Sequence, residues 1–386
     1  MPVYLDHAAT TPMADVAVEV MTRQLTKLGN PSSLHSYGRD VRKDLETARE
    51  EIAVAIDCHA SEIIFTASGT EANNTALKGL FWSGQAVGRN VVVISAIEHH
   101  AILDPAHWLE THEAAEIIEL RVDANGVIDI DELADVIARR GDEIAVISVM
   151  SSNNETGVLQ PVDKVVELAR LASIPVHSDA VQSFGKIPLS FAQSGLTAMS
   201  LSAHKIGGPL GIGILVFQKG LDVPALLHGG GQERDIRSGT FNAPSILAFA
   251  AAVKESVRTF QERNERVRGL RDQLEQGIIE CVPDAYINGV KALRLPGILN
   301  MTIPGTESET LLLLLDNEGI ACSMGSACNA GVQRPSHVLL AMGHDDVSAR
   351  SSLRFSFGAT STANDVEQAL LFLPSVIERA RMANLR

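Results

Sequence analysis

The pattern of apolar and polar residues predicts an α/β protein. Between about residues 60 and 220, short β-rich apolar runs alternate with stretches, such as residues 162–171, in which apolar residues recur at helical spacing. This alternation is typical of a mostly parallel sheet whose strands are connected by crossover helices. The predicted strands cover residues 63–66, 90–95, 116–120, 145–150, 175–177, 199–202 and 213–217.

The pattern changes after Pro244, and this change predicts a second domain. Residues 245–279 are helical in pattern and rich in charge. Two short strands and a final helix follow, at residues 297–303, at residues 320–323 and from Thr362 onward. A chain of 386 residues is long enough for two domains. We therefore expect a large domain over residues 14–255 and a smaller α+β domain formed by residues 1–13 and 256–386.

Net charge and cysteine content narrow the possible functions. The chain carries 32 Lys and Arg against 47 Asp and Glu, a formal net charge of −15. This excess of negative charge argues against direct binding to nucleic acid or to an anionic membrane surface. The four cysteines form no Cys-x-x-Cys pair, so neither a disulfide framework nor a metal site is expected. They are Cys58, Cys281, Cys322 and Cys328.

The apolar runs and the N-terminus predict a cytoplasmic protein. The longest apolar runs, at residues 246–253 and 311–315, are too short to span a bilayer. The N-terminal residues do not form a basic segment followed by an apolar one, so no signal peptide is expected.

Polar side chains follow five of the predicted strands, at the point where each strand ends. In open parallel sheets, ligands bind at the carboxyl ends of the strands. One polar group at such a place is weak evidence, whereas five groups on the same edge together argue for a site. These groups are residues 68–71, His99, residues 151–154, Ser178 with Asp179, and Ser202 with His204 and Lys205.

Lys205 gives this edge a candidate covalent centre. An ammonium group directly after a buried strand is costly to desolvate unless it is used. One use is a Schiff base with an aldehyde cofactor. Asp179, at the end of the preceding strand, could keep a pyridinium nitrogen protonated, although an aspartate there can also be a helix cap. Gln182 would share its face of the following turn and could reach a ring hydroxyl.

Two segments could bind a phosphate group. Residues 68–71 read Ser-Gly-Thr-Glu, which is either a capping box or a phosphate cradle in which Gly69 and Thr70 present backbone and hydroxyl groups. Arg237 with Thr240, in a glycine-containing loop, also suits phosphate oxygens. His99 could stack on an aromatic cofactor and transfer protons, or it could be an ordinary surface histidine.

The C-terminal region adds a thiol and an arginine. Cys328 lies in a run rich in Gly, Ser and Ala, so it is a candidate nucleophile, whereas Cys322 fits a small buried hydrophobic residue. Arg354, inside a short β-like stretch, needs a partner. That partner is either a substrate carboxylate, bound bidentately, or a carboxylate in a structural ion pair.

Taken together, these motifs strongly resemble a cysteine desulfurase of the NifS/IscS type. Such enzymes use pyridoxal 5′-phosphate and have the aspartate-aminotransferase-like fold (fold type I), with a large, mostly parallel-sheet domain and a smaller α+β domain. The resemblance extends over nearly the whole chain. The residues that carry it are 4–12, 29–33, 153–157, 177–182, 202–205, 237–240, 325–328 and 354–356.

The resemblance implies a role for each candidate residue. Lys205 would bind the cofactor aldehyde, Asp179 would pair with the ring nitrogen, and Gln182 would bond the ring hydroxyl. His99 would stack on the ring and act as acid and base. The phosphate would be bound by Gly69 through its backbone, by Thr70, Ser202 and His204, and by Thr240 from the other subunit of a homodimer. Asn154 would contact the cofactor and, with Arg354, hold the substrate carboxylate.

The resemblance also implies the reaction and its partners. L-Cysteine would be converted to L-alanine, and the sulfur would form a persulfide on Cys328 and then pass to a sulfur-acceptor protein. Iron–sulfur cluster assembly, tRNA thiolation, cofactor synthesis and sulfur modification of DNA all begin with such a persulfide. Two alternatives are a selenocysteine lyase or related lyase that does not use Cys328, and a non-catalytic docking platform. Met324 departs from the small residue that many relatives carry.

Overall fold

The computed structural model describes residues 2–324 and 334–384, so Cys328 lies outside the described residues. The strands are β1 Val3–Tyr4, β2 Ile63–Thr66, β3 Val91–Ser95, β4 Glu116–Leu120, β5 Ile144–Ser148, β6 Val176–Asp179, β7 Ala198–Ser202, β8 Gly213–Phe217, β9 Tyr286–Ile287, β10 Ile298–Thr302, β11 Ile320–Ala321 and β12 Ser352–Ser356.

The helices between these strands, in chain order, are α1 Asp15–Leu25, α2 Ser36–Ile56, α3 Gly69–Gln85, α4 His100–Glu113, α5 Ile130–Arg140, α6 Val162–Leu171, α7 Phe191–Ser194, α8 Ala243–Arg258, α9 Phe260–Cys281, α10 Ser308–Asn317, α11 His337–Ala341, α12 Asp346–Arg350 and α13 Ala363–Asn384.

The central sheet has seven strands in the order β2-β8-β7-β6-β5-β3-β4. Five neighbouring strands, from β7 to β4, are parallel, and β8 runs antiparallel to both β7 and β2. The predicted, mostly parallel sheet is therefore confirmed. Because the parallel strands have a common direction, their carboxyl ends lie along one edge of the sheet.

Both faces of this sheet are covered by helices. Ile63 and Phe65 of β2 pack in one hydrophobic cluster with α2 and α8, whereas Ile64 packs on the other face with α3 and α4. All residues of β3 and β5 are buried, as the continuous apolar runs of parallel strands predict. A fully buried Val or Ile side chain on these strands contributes about 1.5–3 kcal/mol to the stability of the fold.

A smaller antiparallel sheet, β12-β10-β9, has its own hydrophobic cluster. Leu299 and Phe355 of this sheet pack against residues of α9, α10 and α13. Val3 and Leu5 join the same cluster, because β1 pairs with β11. The predicted boundary after residue 255 falls within α8, and the helices break at Thr259. The domain boundaries themselves stay a prediction.

Residues 2–324 and 334–384 contain neither a membrane-spanning helix nor a cluster of metal ligands. No helix in these ranges is both long enough and apolar enough to cross a membrane. The same ranges contain no cluster of three or more His, Cys, Asp or Glu side chains suited to a metal ion.

Candidate active site

A cavity of about 500 Å³ lies at the carboxyl ends of the central strands. Its wall includes residues from five strand ends of that sheet and from the N-terminal segment. The predicted site residues that line it are Gly69, Thr70, His99, Asn154, Asp179, Gln182, Ser202, His204, Lys205 and Arg354. The fold therefore brings together predicted site residues that are up to 285 positions apart, as Gly69 and Arg354 are.

Lys205 lies one short 3-10 turn after β7. Its Nζ donates hydrogen bonds to the carbonyl oxygens of Ala8, at 2.6 Å, and Ala9, at 2.7 Å. Burial, assisted by the positive charge of Arg354, lowers the pKa of Lys205 to about 8. Roughly a tenth of this amine is therefore uncharged at pH 7, far more than for an ordinary lysine. An uncharged amine is the form that attacks an aldehyde.

Asp179 is the last residue of β6 and is buried. Its Oδ2 accepts a hydrogen bond from Asn73 Nδ2 at 2.6 Å, and its Oδ1 accepts one from the amide of Val181 at 2.9 Å. Donors from two elements thus hold the carboxylate at the cavity wall. Asn73, on α3, was not predicted from the sequence. The signal that could have revealed it is a side-chain amide on the face of α3 that packs against the strand ends.

Gln182 is also buried, and both ends of its amide are bonded. Its Nε2 donates to the Ala8 carbonyl at 2.9 Å, and its Oε1 accepts from Lys186 Nζ at 2.6 Å. Burial lowers the pKa of Lys186 to about 7, with further lowering by the charges of Lys205, Arg354 and Arg263. Lys186 is the second residue that the sequence reasoning missed.

His99 caps α4. Its Nδ1 accepts a hydrogen bond from the amide of Ala101 at 3.0 Å, so the proton of the neutral ring lies on Nε2. Burial lowers the pKa of His99, and the nearby Lys205 lowers it further, while Asp179 opposes the shift. These shifts favour the neutral ring, which has one N–H to donate.

Glu98, next to His99 in the chain, is fully buried. Its Oε1 accepts hydrogen bonds from Ser95 Oγ at 2.6 Å and from the amide of Met150 at 2.7 Å. Burial raises the pKa of Glu98 to about 8. A mostly neutral carboxyl group thus connects β3 to the end of β5 beneath the cavity.

At the start of α3, the capping interpretation and the phosphate interpretation are compatible. Ser68 Oγ accepts from the amide of Glu71 at 3.0 Å and so caps the helix, whereas Glu71 Oε2 accepts at 2.8 Å from the amide of Ala67, one residue before the cap, so the reciprocal bond of a capping box is replaced by a bond to its neighbour. The amides of Gly69 and Thr70 belong to the same first turn, which has no intrahelical acceptors for its amides. Gly69 and Thr70 line the cavity wall, and free amides at the start of a helix suit an anion.

Gly69 is required by close packing. A Cβ at this position would lie 2.9 Å from Val181 Cγ2 and 3.4 Å from Ser202 Cβ. On the other side of Ser202, His204 Nδ1 lies 3.2 Å from Thr10 Oγ1. Burial lowers the pKa of His204 to about 4, so this ring is neutral and acts by hydrogen bonding.

The structure does not bring Thr240 to this cavity. Thr240 is exposed, and Arg237 donates from Nε to Glu71 Oε1 at 2.7 Å instead of facing the cavity. Thr240 was expected to act across a homodimer, and this role stays a prediction.

Arg354 lies on β12 and is buried. One Nη donates to the carbonyl of Asn154 at 2.9 Å, and the other donates to Asp6 Oδ1 at 2.8 Å. Its Nε is buried without a hydrogen-bond partner among the described residues. The structural ion pair considered for Arg354 is thus present, and the same guanidinium also lines the cavity.

The described residues on either side of position 328 contact the site. Ser323 exchanges two backbone hydrogen bonds with Arg354, at 3.1 and 2.7 Å. Ser336 Oγ donates to Glu155 Oε2 at 2.5 Å, and His337 Nε2 donates to the Glu98 carbonyl at 2.9 Å. Both flanks of the predicted nucleophile are therefore anchored beside the cavity.

Cys322 behaves as a core residue, as predicted. It packs in the hydrophobic cluster of the smaller sheet, and burial raises the pKa of its thiol to about 12. Cys58 has a pKa raised to about 12 by the same cause. Neither thiol is ionised near neutral pH, so neither is a good nucleophile.

Known proteins with the same fold and chain length identify the family. The aminotransferase class-V family matches residues 3–369. An IscS-like cysteine desulfurase of Mycobacterium tuberculosis is 46% identical over 385 residues, which cover 99% of this chain and 98% of the relative. The chain therefore belongs to the class-V aminotransferase family, and within it to the cysteine desulfurases of the IscS/NifS type.

Two solved structures agree with this assignment. A NifS-like protein has a TM-score of 0.91 and 34% identity, covering 98% of this chain and 100% of the other. SspA, solved in complex with cysteine, has a TM-score of 0.82 and 30% identity, covering 93% of this chain and 100% of the other. The predicted fold class is confirmed.

Proposed function

We propose that this chain binds pyridoxal 5′-phosphate in the cavity and uses it to remove sulfur from L-cysteine, giving L-alanine and a persulfide on Cys328. One observation carries the proposal. A lysine of lowered pKa, a buried carboxylate and an arginine line the same cavity, at Lys205, Asp179 and Arg354. The cofactor is the one used by the enzymes that the sequence motifs resemble, and SspA was solved in complex with cysteine.

The residues of the cavity suit the cofactor. Asp179 offers a carboxylate that could hold a protonated ring nitrogen, and Gly69 allows an anion to approach the first turn of α3. Gln182 Nε2 has a second N–H beyond the one given to Ala8, which suits a ring oxygen. When bound, the cofactor supplies an electron sink that stabilises negative charge at the substrate α-carbon.

The side chains then divide the remaining work. Lys205 Nζ would hold the cofactor through its aldehyde group and would accept the proton of the substrate α-carbon. His99 Nε2 holds a proton on the cavity side, because Nδ1 is bonded to Ala101. Arg354 and Asn154 orient the substrate carboxylate, for which Arg354 Nε is a donor without a partner among the described residues.

The sulfur transfer is assigned to Cys328. Its thiolate attacks the sulfur of the substrate, so that a sulfur–sulfur bond forms while the carbon–sulfur bond breaks. The electron pair of the broken bond stays with the substrate β-carbon, which is protonated to give alanine. The persulfide then passes to an acceptor protein. We further propose a homodimer in which Thr240 reaches the phosphate of the neighbouring subunit.

The decisive test is a product assay. The purified protein, loaded with pyridoxal phosphate, receives L-cysteine and a thiol reductant, and alanine and sulfide are quantified. Wild type should give equal amounts of both, and Cys328→Ala should give neither. Cys281→Ala, which removes an exposed cysteine, is the matched control and should behave as wild type.

Two other outcomes of this assay would contradict the proposal. Activity that survives in Cys328→Ala would instead indicate a lyase that does not use this thiol, such as a selenocysteine lyase. Absence of product from cofactor-loaded wild type, even with a sulfur-acceptor protein present, would favour a non-catalytic docking role.

A further inference from the structure

We infer that Lys186 is a positioning residue of the cofactor site, which fixes the amide of Gln182 so that its N–H edge is presented to the cavity. The inference rests on the proposed function, because the cofactor is what the N–H edge would bind. Lys186 itself does not line this cavity and contacts it through Gln182.

The hydrogen bonds of Gln182 determine how its amide is turned. Oε1 accepts from Lys186 Nζ at 2.6 Å, and Nε2 donates to the Ala8 carbonyl at 2.9 Å. The Ala8 carbonyl can only accept, and the charged form of Lys186 can only donate. The reversed amide would place its NH₂ against the ammonium and its oxygen against the carbonyl, so only one orientation is compatible with both neighbours.

This orientation places the amide nitrogen beside the reactive lysine. The Ala8 carbonyl accepts from Gln182 Nε2 and also from Lys205 Nζ, at 2.6 Å. The two donors thus share one oxygen. A ring oxygen held near Lys205 would meet the donor edge of Gln182, which stabilises an ionised ring hydroxyl. A reversed amide would present a carbonyl oxygen and repel it.

Folding stability does not explain a lysine at position 186. Its Nζ has no carboxylate within 4 Å in the part of the chain that the structure describes. Burial and three nearby cationic side chains lower its pKa to about 7, so its charge is held at a cost. The one side-chain hydrogen bond that it makes within that part of the chain goes to the site amide.

The backbone around Lys186 is fixed. Gly185 has a φ of +72°, and a Cβ there would lie 2.4 Å from Ser256 Oγ. Asn264, on α9, donates to the Lys186 carbonyl at 3.1 Å. A left-handed glycine and an anchored carbonyl therefore direct the lysine side chain back toward Gln182, four residues earlier in the chain.

The test compares Lys186→Met with Gln182→Leu and with the double variant. Lys164→Met, which removes an exposed lysine on α6, controls for the loss of one charge. Cofactor-free protein is titrated with pyridoxal phosphate to obtain the dissociation constant, and the absorption spectrum of the bound cofactor is recorded at one fixed pH. The thermal midpoint of the cofactor-free protein is measured for every variant.

We expect Lys186→Met to raise the dissociation constant about tenfold, the size of one lost hydrogen bond to a charged group. Its spectrum should shift in the same direction as that of Gln182→Leu, and adding it to Gln182→Leu should change nothing more. The thermal midpoint of the cofactor-free protein should stay within a few degrees of wild type. Lys164→Met should match wild type throughout.

Three results would overturn the inference while leaving the cofactor assignment intact. The first is an unchanged spectrum and affinity in Lys186→Met. The second is an effect of Lys186→Met that is as large in the Gln182→Leu background as in wild type. The third is a lowered thermal midpoint of Lys186→Met with an unchanged spectrum and dissociation constant. If Lys186→Met does not fold, Lys186→Gln takes its place. This variant keeps an uncharged donor and should shift the spectrum less than Gln182→Leu does. Wild type that fails to bind pyridoxal phosphate would overturn the proposed function and this inference together.

Discussion

The two halves of the candidate site are built in different ways. One half follows the ends of the central strands, where Asp179, His99 and Lys205 each come directly after a buried run. The other half is brought in from distant parts of the chain, as when Arg354 pairs with Asp6 across 348 positions. The first half can be predicted from local sequence patterns. The second half forms only when the hydrophobic clusters of the central sheet and of the smaller sheet are both packed.

The comparison predicts that the strand-end half controls the chemistry. Because the pKa of Lys205 is lowered to about 8, the uncharged amine becomes more abundant as the pH rises. The rate of covalent cofactor attachment should therefore rise roughly 50-fold between pH 6 and pH 8 and level off above that. Stopped-flow absorbance with cofactor-free protein measures this rate.

Lys205→Ala is the control for this experiment and should give no covalent band at any pH. A rate that keeps rising to pH 10 would show that Lys205 has an ordinary pKa in the folded protein. A rate that is flat from pH 6 to pH 9 would show that the protonation of Lys205 does not limit attachment.

The half supplied by distant segments should control binding and stability. In Asp6→Asn the buried guanidinium of Arg354 loses its counter-charge, which we expect to cost about 3 kcal/mol of unfolding free energy. The KM for L-cysteine should nevertheless stay the same or fall, because the positive charge that faces the substrate carboxylate is less neutralised. Arg354→Gln should also destabilise the protein but raise KM. Urea denaturation and steady-state kinetics measure the two quantities.

The control is Asp104→Asn, which removes an exposed partner of His100 and should change stability by less than about 0.5 kcal/mol. If Asp6→Asn and Arg354→Gln shifted KM in the same direction, the pair would be purely structural, and Arg354 would have no separate role toward the substrate.

The same contrast explains what the sequence could predict. β2, β4 and β8 match their predicted bounds, because polar or turn residues follow each apolar run. β5 was predicted to reach residue 150 but ends at Ser148, although Val149 and Met150 remain buried. Pairing with β3 ends there because the Met150 amide bonds to Glu98, whereas on the other side the amides of Val149 and Ser151 still donate to the carbonyls of His177 and Asp179 in β6. An apolar pattern indicates which residues are buried, and buried residues can continue past the end of the hydrogen-bonded strand.

The site residues that the sequence did not predict are those defined by their partners. Asn73 and Lys186 belong to no recognised motif, and each acts by a hydrogen bond to a predicted residue, Asp179 or Gln182. Likewise, the carbonyl of Ala8 has no side-chain signature at all. The roles assigned to the ten predicted residues in the cavity, to Thr240 and to Cys328 stay predictions.

Two serine helix caps test the comparison with the smallest expected changes in stability. Ser68 caps α3 in the strand-end half, and Ser336 caps α11 in the other half while also donating to buried Glu155. Loss of a cap costs about 1 kcal/mol, so Ser68→Ala should lower stability by that amount. Ser336→Ala should cost about 1–2 kcal/mol more, because it also leaves a buried carboxylate oxygen without its donor. Urea denaturation of the cofactor-free protein measures both, and equal losses would mean that the contact with Glu155 adds nothing to the fold.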